Sequence, residues 1–314
     1  MPERFEILTA GFYLFVQAKR RPLAFVWLVF WSIVLFAALF GGIFLAIRPF
    51  EGLSPENGEV PPEDLVWFFA AILFALVGML VFFLVFYTGW NRFLVGRKLP
   101  ALIPFRLGLD EGRSFVVGLV HMALLMGVYL LMIIPFFVFM MLVSIPLSAT
   151  GTEPGGWAMA GSAIAVLLFY GLYLFGLLAA GVKFAPAYAM TVLEKRIVIF
   201  DSWEATKGVF WSAFVSTLIP VGFSIIAQIA LLLIQLIVQG VMMLAGFNPE
   251  PETVSASNGA VMVSFGVMIV IGGAIWICMM AMALGPYAYM AVWHDRNRQH
   301  REPQMAPLEP PASG

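Results

Sequence analysis

The chain has 314 residues, of which 62% are hydrophobic and only 11% are charged, whereas soluble domains carry roughly 25% charged residues. This composition excludes an ordinary soluble domain and predicts an integral membrane protein. The single cysteine, Cys278, excludes an intrachain disulfide and a metal site built on several cysteines. The formal net charge of −1 conceals an uneven distribution of charge along the chain, which bears on orientation.

Six stretches without Asp, Glu, Lys or Arg follow one another along the chain, at residues 23–47, 65–90, 114–149, 157–182, 208–246 and 260–293. Each exceeds the roughly 20 apolar residues that cross a ~30 Å hydrocarbon core. Backbone groups find no water there, so they must pair within helices. None of the stretches alternates apolar and polar residues as a barrel strand does. The sequence therefore predicts an all-α polytopic membrane protein with a six-span transmembrane domain at 23–293.

Residues 1–22 form the first predicted element, an amphipathic helix at the cytoplasmic interface. Phe5, Leu8, Phe12 and Phe15 share one face at helical spacing. The apolar stretch that follows is 25 residues long, beyond the roughly 7–15 residues of a signal-peptide core. We therefore expect the first span to be retained.

The basic residues indicate the orientation of the spans. If the six stretches alternate across the membrane, only Arg48 of the 17 Lys and Arg residues falls on the side that carries the acidic loops. Short loops rich in Lys and Arg stay in the cytoplasm. We therefore predict that both termini are cytoplasmic. The residues on the predicted cytoplasmic side are Arg4, Lys19, Arg20, Arg21, Arg92, Arg97, Lys98, Arg106, Arg113, Lys183, Lys195, Arg196, Lys207, Arg296, Arg298 and Arg301.

The stretch 208–246 is too long for a simple span, because a single helix of this length would measure about 58 Å. Pro220 lacks a backbone N–H and would kink such a helix. We therefore predict an interfacial helix at 201–219 and a separate span at 221–245. An interfacial segment followed by two spans recurs three times along the chain.

The interfacial helix at 201–219 begins with a polar stretch. Asp201 is expected to cap it, with Glu204 three residues further on, as in a capping box. Trp203 and Trp211 suit the lipid headgroup layer, where amphipathic rings collect.

The end of the chain is predicted to return to the cytoplasmic interface. Pro286 is expected to begin another interfacial stretch after the last span. Residues 294–314 form a cytoplasmic tail that is partly disordered, because its end is rich in proline and small residues.

One segment, "FAPAYAMTVLEKRIVIFDSWEATKGVFW", resembles a pattern in bacterial six-span integral membrane proteins, and it is similar to one loop in the membrane portion of glycerophosphodiester phosphodiesterases. The matching features are the small-residue and proline span ending followed by an acid and two tryptophans, at Ala185, Pro186, Ala187, Glu194, Trp203, Thr206, Lys207, Gly208 and Trp211. The chain has no room for the soluble phosphodiesterase domain, so that activity is not implied. The resemblance implies a protein of the bacterial inner membrane with an accessory role that is related to lipid.

The same segment carries the candidate binding residues. Lys195, Arg196 and Lys207 lie beside Trp203 and Trp211, and we expect all five to face lipid. Anionic headgroups attract such basic clusters with about 1 kcal/mol per charge. Membrane lipids, in particular anionic ones, are therefore the expected partners, with a protein partner as the alternative and no nucleic acid.

Gln228, Gln235 and Gln239 share one face of the fifth span. They either line a path for a solute or hydrogen-bond neighbouring helices, at about 0.6 kcal/mol each. We favour packing. His121, near the start of the third span, is expected to be a structural histidine, because no carboxylate within the stretches completes a proton relay.

The predicted function is that of a non-enzymatic membrane protein that binds lipid or a partner at the cytoplasmic face. A transporter or channel for a small neutral or amphipathic solute is the alternative. An intramembrane enzyme ranks third, because the sequence shows no paired carboxylates at the membrane face and no nucleophile set within helical reach. No catalytic residue, metal site or cofactor is expected.

Overall fold

The computed structural model describes residues 4–47, 62–100, 103–149, 156–244 and 259–301, and these residues form helices without any strand. The helices are α1 (Ile7–Gly11), α2 (Tyr13–Arg20), α3 (Pro22–Ile47), α4 (Pro62–Leu94), α5 (Leu109–Ala149), α6 (Gly156–Phe184), α7 (Pro186–Glu194), α8 (Asp201–Ala205), α9 (Phe210–Leu244) and α10 (Gly259–Arg301). Six segments are long and apolar enough to cross a membrane, at Pro22–Ile43, Leu65–Leu94, Leu109–Val138, Ala163–Glu194, Phe210–Ile237 and Gly272–His300. The predicted all-α, six-span class is confirmed.

Two prolines do not divide the helices as the sequence predicts. The helix α9 continues through Pro220, so the separate interfacial helix and span expected on either side of Pro220 are wrong. The helix α10 likewise continues through Pro286, so the stretch after Pro286 is not a separate element. A proline removes one backbone donor, and side-chain hydroxyls and packing against neighbours compensate for it within a membrane helix. Pro220 is buried, and the Ser224 hydroxyl donates to its carbonyl oxygen over 2.8 Å.

The N-terminal segment packs against the bundle as two short helices instead of one. The chain breaks at Phe12, whose ring meets Phe223 of α9 at 5.7 Å between centroids. Gly11 allows this close crossing, because a Cβ at its position would collide with the side chain of Ile219. Phe5 lies before α1 and is buried, whereas Leu8 and Phe15 are exposed. The four apolar residues therefore do not share one surface.

The core lies where α3, α4, α7 and α10 meet. Phe86, Trp90 and Phe93 of α4 are fully buried there, together with Met190 and Ile277. The helix α7 follows a break after α6 and is buried along most of its length. Its alanines let it pass close to three neighbouring helices, since small residues permit close helix approach in membranes.

Hydrogen bonds and ion pairs join several basic segments at one end of the bundle. Arg21, at the start of α3, donates from Nη2 to the carbonyl oxygen of Arg97, over 2.9 Å. Arg298 of α10 lies 3.7 Å from Glu194 at the end of α7. We call this end of the bundle the basic end. Its cytoplasmic placement stays a prediction.

Arg48, the part of the tail after Arg301 and the predicted outer loops lie outside the described residues, apart from residues 62–64 of the first outer loop, which begin α4. Residues 294–301 of the predicted tail belong to α10.

Candidate functional site

A buried ionic cluster ties the end of α4 to the start of α5. Arg92 Nη1 lies 2.6 Å from Glu111 Oε1, and the two side chains are only 4% and 2% exposed. Arg92 Nη2 also lies 3.2 Å from Asp110 Oδ2, and Arg97 and Arg113 approach the same carboxylate. Both acids stand in the first turn of α5, where the helix dipole favours negative charge. These charges bind one another, so we assign the cluster a structural role.

The loop between α7 and α8 holds Arg196 in ion pairs. Its guanidinium lies 2.7 Å from Glu194 and 2.6 Å from Asp201. Phe200, and not Asp201, occupies the N-cap position of α8, and no side chain caps this helix. The predicted capping box is therefore wrong. The loop brings the arginine within reach of the Asp201 carboxylate, and such a charge-assisted pair competes with capping.

The other four predicted lipid-binding residues are exposed. Lys195 and Lys207 are open to the surroundings, and Trp203 and Trp211 are 51% and 65% exposed. Gly208 adopts a φ of +83° in the turn between α8 and α9, which suits glycine. The segment from the end of α7 to the start of α9 thus presents two lysines and two tryptophans at the surface.

Lys183, at the end of α6, contacts two aromatic rings, and the sequence analysis did not predict these contacts. Its Nζ lies 4.6 Å from the centroid of the Trp203 ring and 5.3 Å from that of Phe210. Cation–π contacts of this kind occur within about 6 Å. Lys183 thus helps to orient Trp203.

A second feature that the sequence analysis missed is a cleft of about 400 Å³ between the N-terminal helices and the end of α10. We call it the arginine cleft. Three arginines and three aromatic residues line it, namely Arg4, Arg20, Arg296, Tyr13, Tyr289 and Trp293. Among the described residues that line it, Glu6 alone is acidic, so the cleft has an excess of positive charge. Arg296 is separated from Arg4 and Arg20 by most of the chain, which hides the cluster from sequence analysis.

Aromatic contacts hold the walls of the arginine cleft. The Tyr289 ring lies edge-on to Phe5 at 5.2 Å and to Tyr13 at 5.3 Å. The Glu6 backbone N–H donates to the Tyr289 hydroxyl over 3.4 Å. Burial raises the pKa of Tyr13, against the opposing effects of Gln17 and the nearby arginines. The Tyr13 hydroxyl therefore stays protonated at neutral pH and can donate a hydrogen bond.

A third feature is a larger, mainly apolar cavity of about 700 Å³, lined by residues of α4, α5, α6, α7 and α10 and by Ala185. We call it the central cavity. Its polar lining residues include Tyr87, Ser114, His121, Tyr188 and Tyr287. His121, the predicted structural histidine, places its ring 5.7 Å from that of Tyr188.

The predicted polar face of Gln228, Gln235 and Gln239 contributes no described residue to the central cavity or the arginine cleft. Gln228 and Gln235 are exposed on α9. The side chain of Gln239 lies outside the described residues. Helix packing therefore stays the predicted role of the three glutamines, with a path for a solute as the alternative.

Comparison with known proteins adds no relative to this picture. No family model, no curated protein and no solved structure matches the chain. The similarity of residues 184–211 to the membrane portion of glycerophosphodiester phosphodiesterases stays a prediction. The composition and the six apolar helices define the class, a six-span all-α membrane protein.

Proposed function

We propose that this protein is a non-enzymatic integral membrane protein that binds anionic phospholipid at its basic end, which faces the cytoplasm of a bacterial cell. The arginine cleft carries the proposal. Arg20 and Arg296 come from opposite ends of the chain and line one cleft beside tyrosine and tryptophan rings. Guanidinium groups bind phosphate through paired hydrogen bonds, and this geometry suits a phosphodiester headgroup.

The position of the arginine cleft suits a lipid ligand. Arg20 stands two residues before Pro22, where the first span begins, so its guanidinium lies near the membrane interface. Tyrosine and tryptophan side chains concentrate at the same depth in membrane proteins. The cleft thus combines cations and aromatic rings where phosphate groups of the bilayer are found.

The exposed residues around α8 support the same function with less specificity. Lys195 and Lys207 are accessible beside Trp203 and Trp211. Each basic residue near an anionic surface contributes about 1 kcal/mol. This surface adds general attraction, whereas the arginine cleft selects a headgroup.

Native mass spectrometry of the protein with bound phosphatidylglycerol or phosphatidylcholine tests the proposal. The Arg20→Gln and Arg296→Gln double variant should lose its preference for phosphatidylglycerol. The matched control is the Lys98→Gln and Arg106→Gln double variant, which removes the same charge from exposed positions assigned to the same side. Equal lipid retention by the two double variants would overturn the assignment of the arginine cleft.

Transport of a small neutral or amphipathic solute is the second candidate function. The central cavity favours it, because a mainly apolar cavity with a few polar groups suits such ligands. Light scattering from protein-containing vesicles under a glycerol gradient tests for a pore. Swelling rates equal to those of protein-free vesicles would exclude a path for small neutral solutes.

A further inference from the structure

The central cavity carries an inference that does not depend on the arginine cleft. Its volume of about 700 Å³ falls within the roughly 300–1,000 Å³ that is typical of small-molecule sites. Its lining extends along α5 from Ser114 to Tyr129, about 22 Å at 1.5 Å per residue. A cavity of this length suits an extended chain.

Two buried polar atoms in the lining have no partner. Ser114 is only 2% exposed, and its Oγ makes no hydrogen bond. His121 Nδ1 is likewise buried and unpartnered. Buried polar groups are normally hydrogen-bonded, and leaving one unpaired is unfavourable. These two atoms therefore point to a ligand that supplies hydrogen-bonding groups.

The two unpartnered polar atoms lie in the first part of the α5 lining, where Phe115 and Leu119 also line the cavity, and Tyr129 stands at the far end. Ser114 and His121 lie toward the basic end, with the Tyr188 hydroxyl packed over Gly118 between them. Farther along the helix, Met122 and Met126 line the cavity. Methionine adapts to irregular apolar ligands. The lining is thus complementary to a molecule with one polar end and one hydrocarbon chain.

The lining also selects the charge of the polar end. No Lys, Arg, Asp or Glu stands among the described residues that line the central cavity. Arg92, the nearby buried cation, is already paired with Asp110 and Glu111. An ionised headgroup would be buried without a counter-ion, which is strongly unfavourable.

The opening of the central cavity faces the region where lipid would lie. Leu119, Met122 and Met126 line the cavity and are each more than half exposed, so the cavity is open along α5. A ligand with a hydrocarbon chain can therefore enter sideways from the bilayer without crossing water.

We propose that the central cavity binds one single-chain amphiphile with a neutral hydroxyl or ester headgroup, whose polar end meets Ser114 and His121. Its hydrocarbon chain extends along α5 toward Tyr129. This class includes monoacylglycerols and long-chain alcohols, and it differs from the anionic phospholipid of the arginine cleft.

Titration with monoolein and with oleate, monitored by native mass spectrometry, tests the proposal, because the two probes carry the same chain and differ in headgroup. At alkaline pH, where oleate is ionised, one monoolein should bind per protein and oleate should bind at least about tenfold more weakly, given the cost of burying a charge. Equal binding of the two probes would overturn the proposal.

The Gly118→Leu variant fills the cavity between Ser114 and His121 and should lose monoolein. Gly127→Leu is the matched control on the same helix, since a Cβ at Gly127 meets open space and the residue does not line the cavity. Monoolein binding by Gly118→Leu at the wild-type level would overturn the proposal.

A second variant keeps the proposal testable if Gly118→Leu does not fold. Ser114→Ala combined with His121→Phe removes the two polar atoms and preserves apolar bulk. This double variant should bind monoolein more weakly than the wild type, because the headgroup loses two hydrogen-bonding partners, and unchanged monoolein binding would overturn the proposal. The double variant Arg20→Gln with Arg296→Gln should bind monoolein as the wild type does. The proposals for the arginine cleft and for the central cavity are therefore tested independently.

Discussion

Two clusters at the basic end have similar charges and different burial. Each contains an arginine between two carboxylates. Arg92 pairs with Glu111, and the arginine side chain is 4% exposed, whereas Arg196 pairs with Asp201 and is 52% exposed. A buried charge depends on its partner because it has lost its water, whereas an exposed one keeps most of its hydration. The first cluster therefore stabilises the contact between α4 and α5, and the second mainly shapes a surface loop.

The largest expected effect is that of Arg92→Met. This variant leaves the Glu111 carboxylate buried without its cation, which should cost about 3–5 kcal/mol in the free energy of unfolding. Unfolding by SDS in a mild detergent measures this loss. Adding Glu111→Gln to Arg92→Met should recover part of the stability, because the stranded charge is removed.

Arg196→Met is the control for this measurement and should cost less than about 1 kcal/mol, since its ion pairs are exposed and screened. If Arg92→Met and Arg196→Met destabilise the protein equally, burial does not determine how much each cluster contributes to stability.

The second prediction compares charges at the exposed surface. Lys195→Gln with Lys207→Gln should weaken anionic-lipid binding by at most about 1 kcal/mol per charge, and high salt should reduce the effect. Arg196→Gln should have a smaller effect, because two carboxylates already neutralise this guanidinium. Phosphatidylglycerol retention at low and high salt measures both. A loss with Arg196→Gln that equals or exceeds half of the loss with the double lysine variant, which removes two charges, would show that the ion pairs do not mask its charge.

The smallest effect is expected for Asp201. Replacement by Ala should cost less than about 1 kcal/mol, the value of an exposed ion pair. Asp201→Asn separates capping from pairing, because asparagine caps helices as well as aspartate does but carries no charge. Hydrogen exchange at the first amides of α8 measures the difference. Protection restored by Asn and lost in Ala would show that the residue caps the helix after all.

The errors of the sequence analysis have a common physical cause. Pro220 and Asp201 were interpreted from local preferences, a helix break and a helix cap. Packing allows α9 to continue through Pro220, and Arg196 takes the Asp201 carboxylate. Both outcomes depend on groups that meet only when the chain folds.

The candidate sites were predictable only in part. Lys195, Lys207, Trp203 and Trp211 are predicted to bind lipid because they are close in sequence and are polar or aromatic beside a span; all four are exposed, and their binding to lipid stays a prediction. The cleft formed by Arg4, Arg20 and Arg296 was missed, because Arg296 is separated from the other two by most of the chain. Contacts between residues this far apart leave no periodic pattern in the sequence.

The sequence by itself determined the class of protein and the number of spans. The length of the apolar stretches and their lack of charge are sufficient for this. A stretch of about 20 apolar residues crosses the hydrocarbon core, and a helix pairs all its backbone groups there. Tertiary structure alone decided which charges are paired, which remain at the surface, and where cavities lie. Arg92 and Lys207 look alike in sequence, but only the packing of α4 against α5 buries the former among carboxylates. Burial and pairing are properties of neighbouring helices, and a single helix cannot specify them.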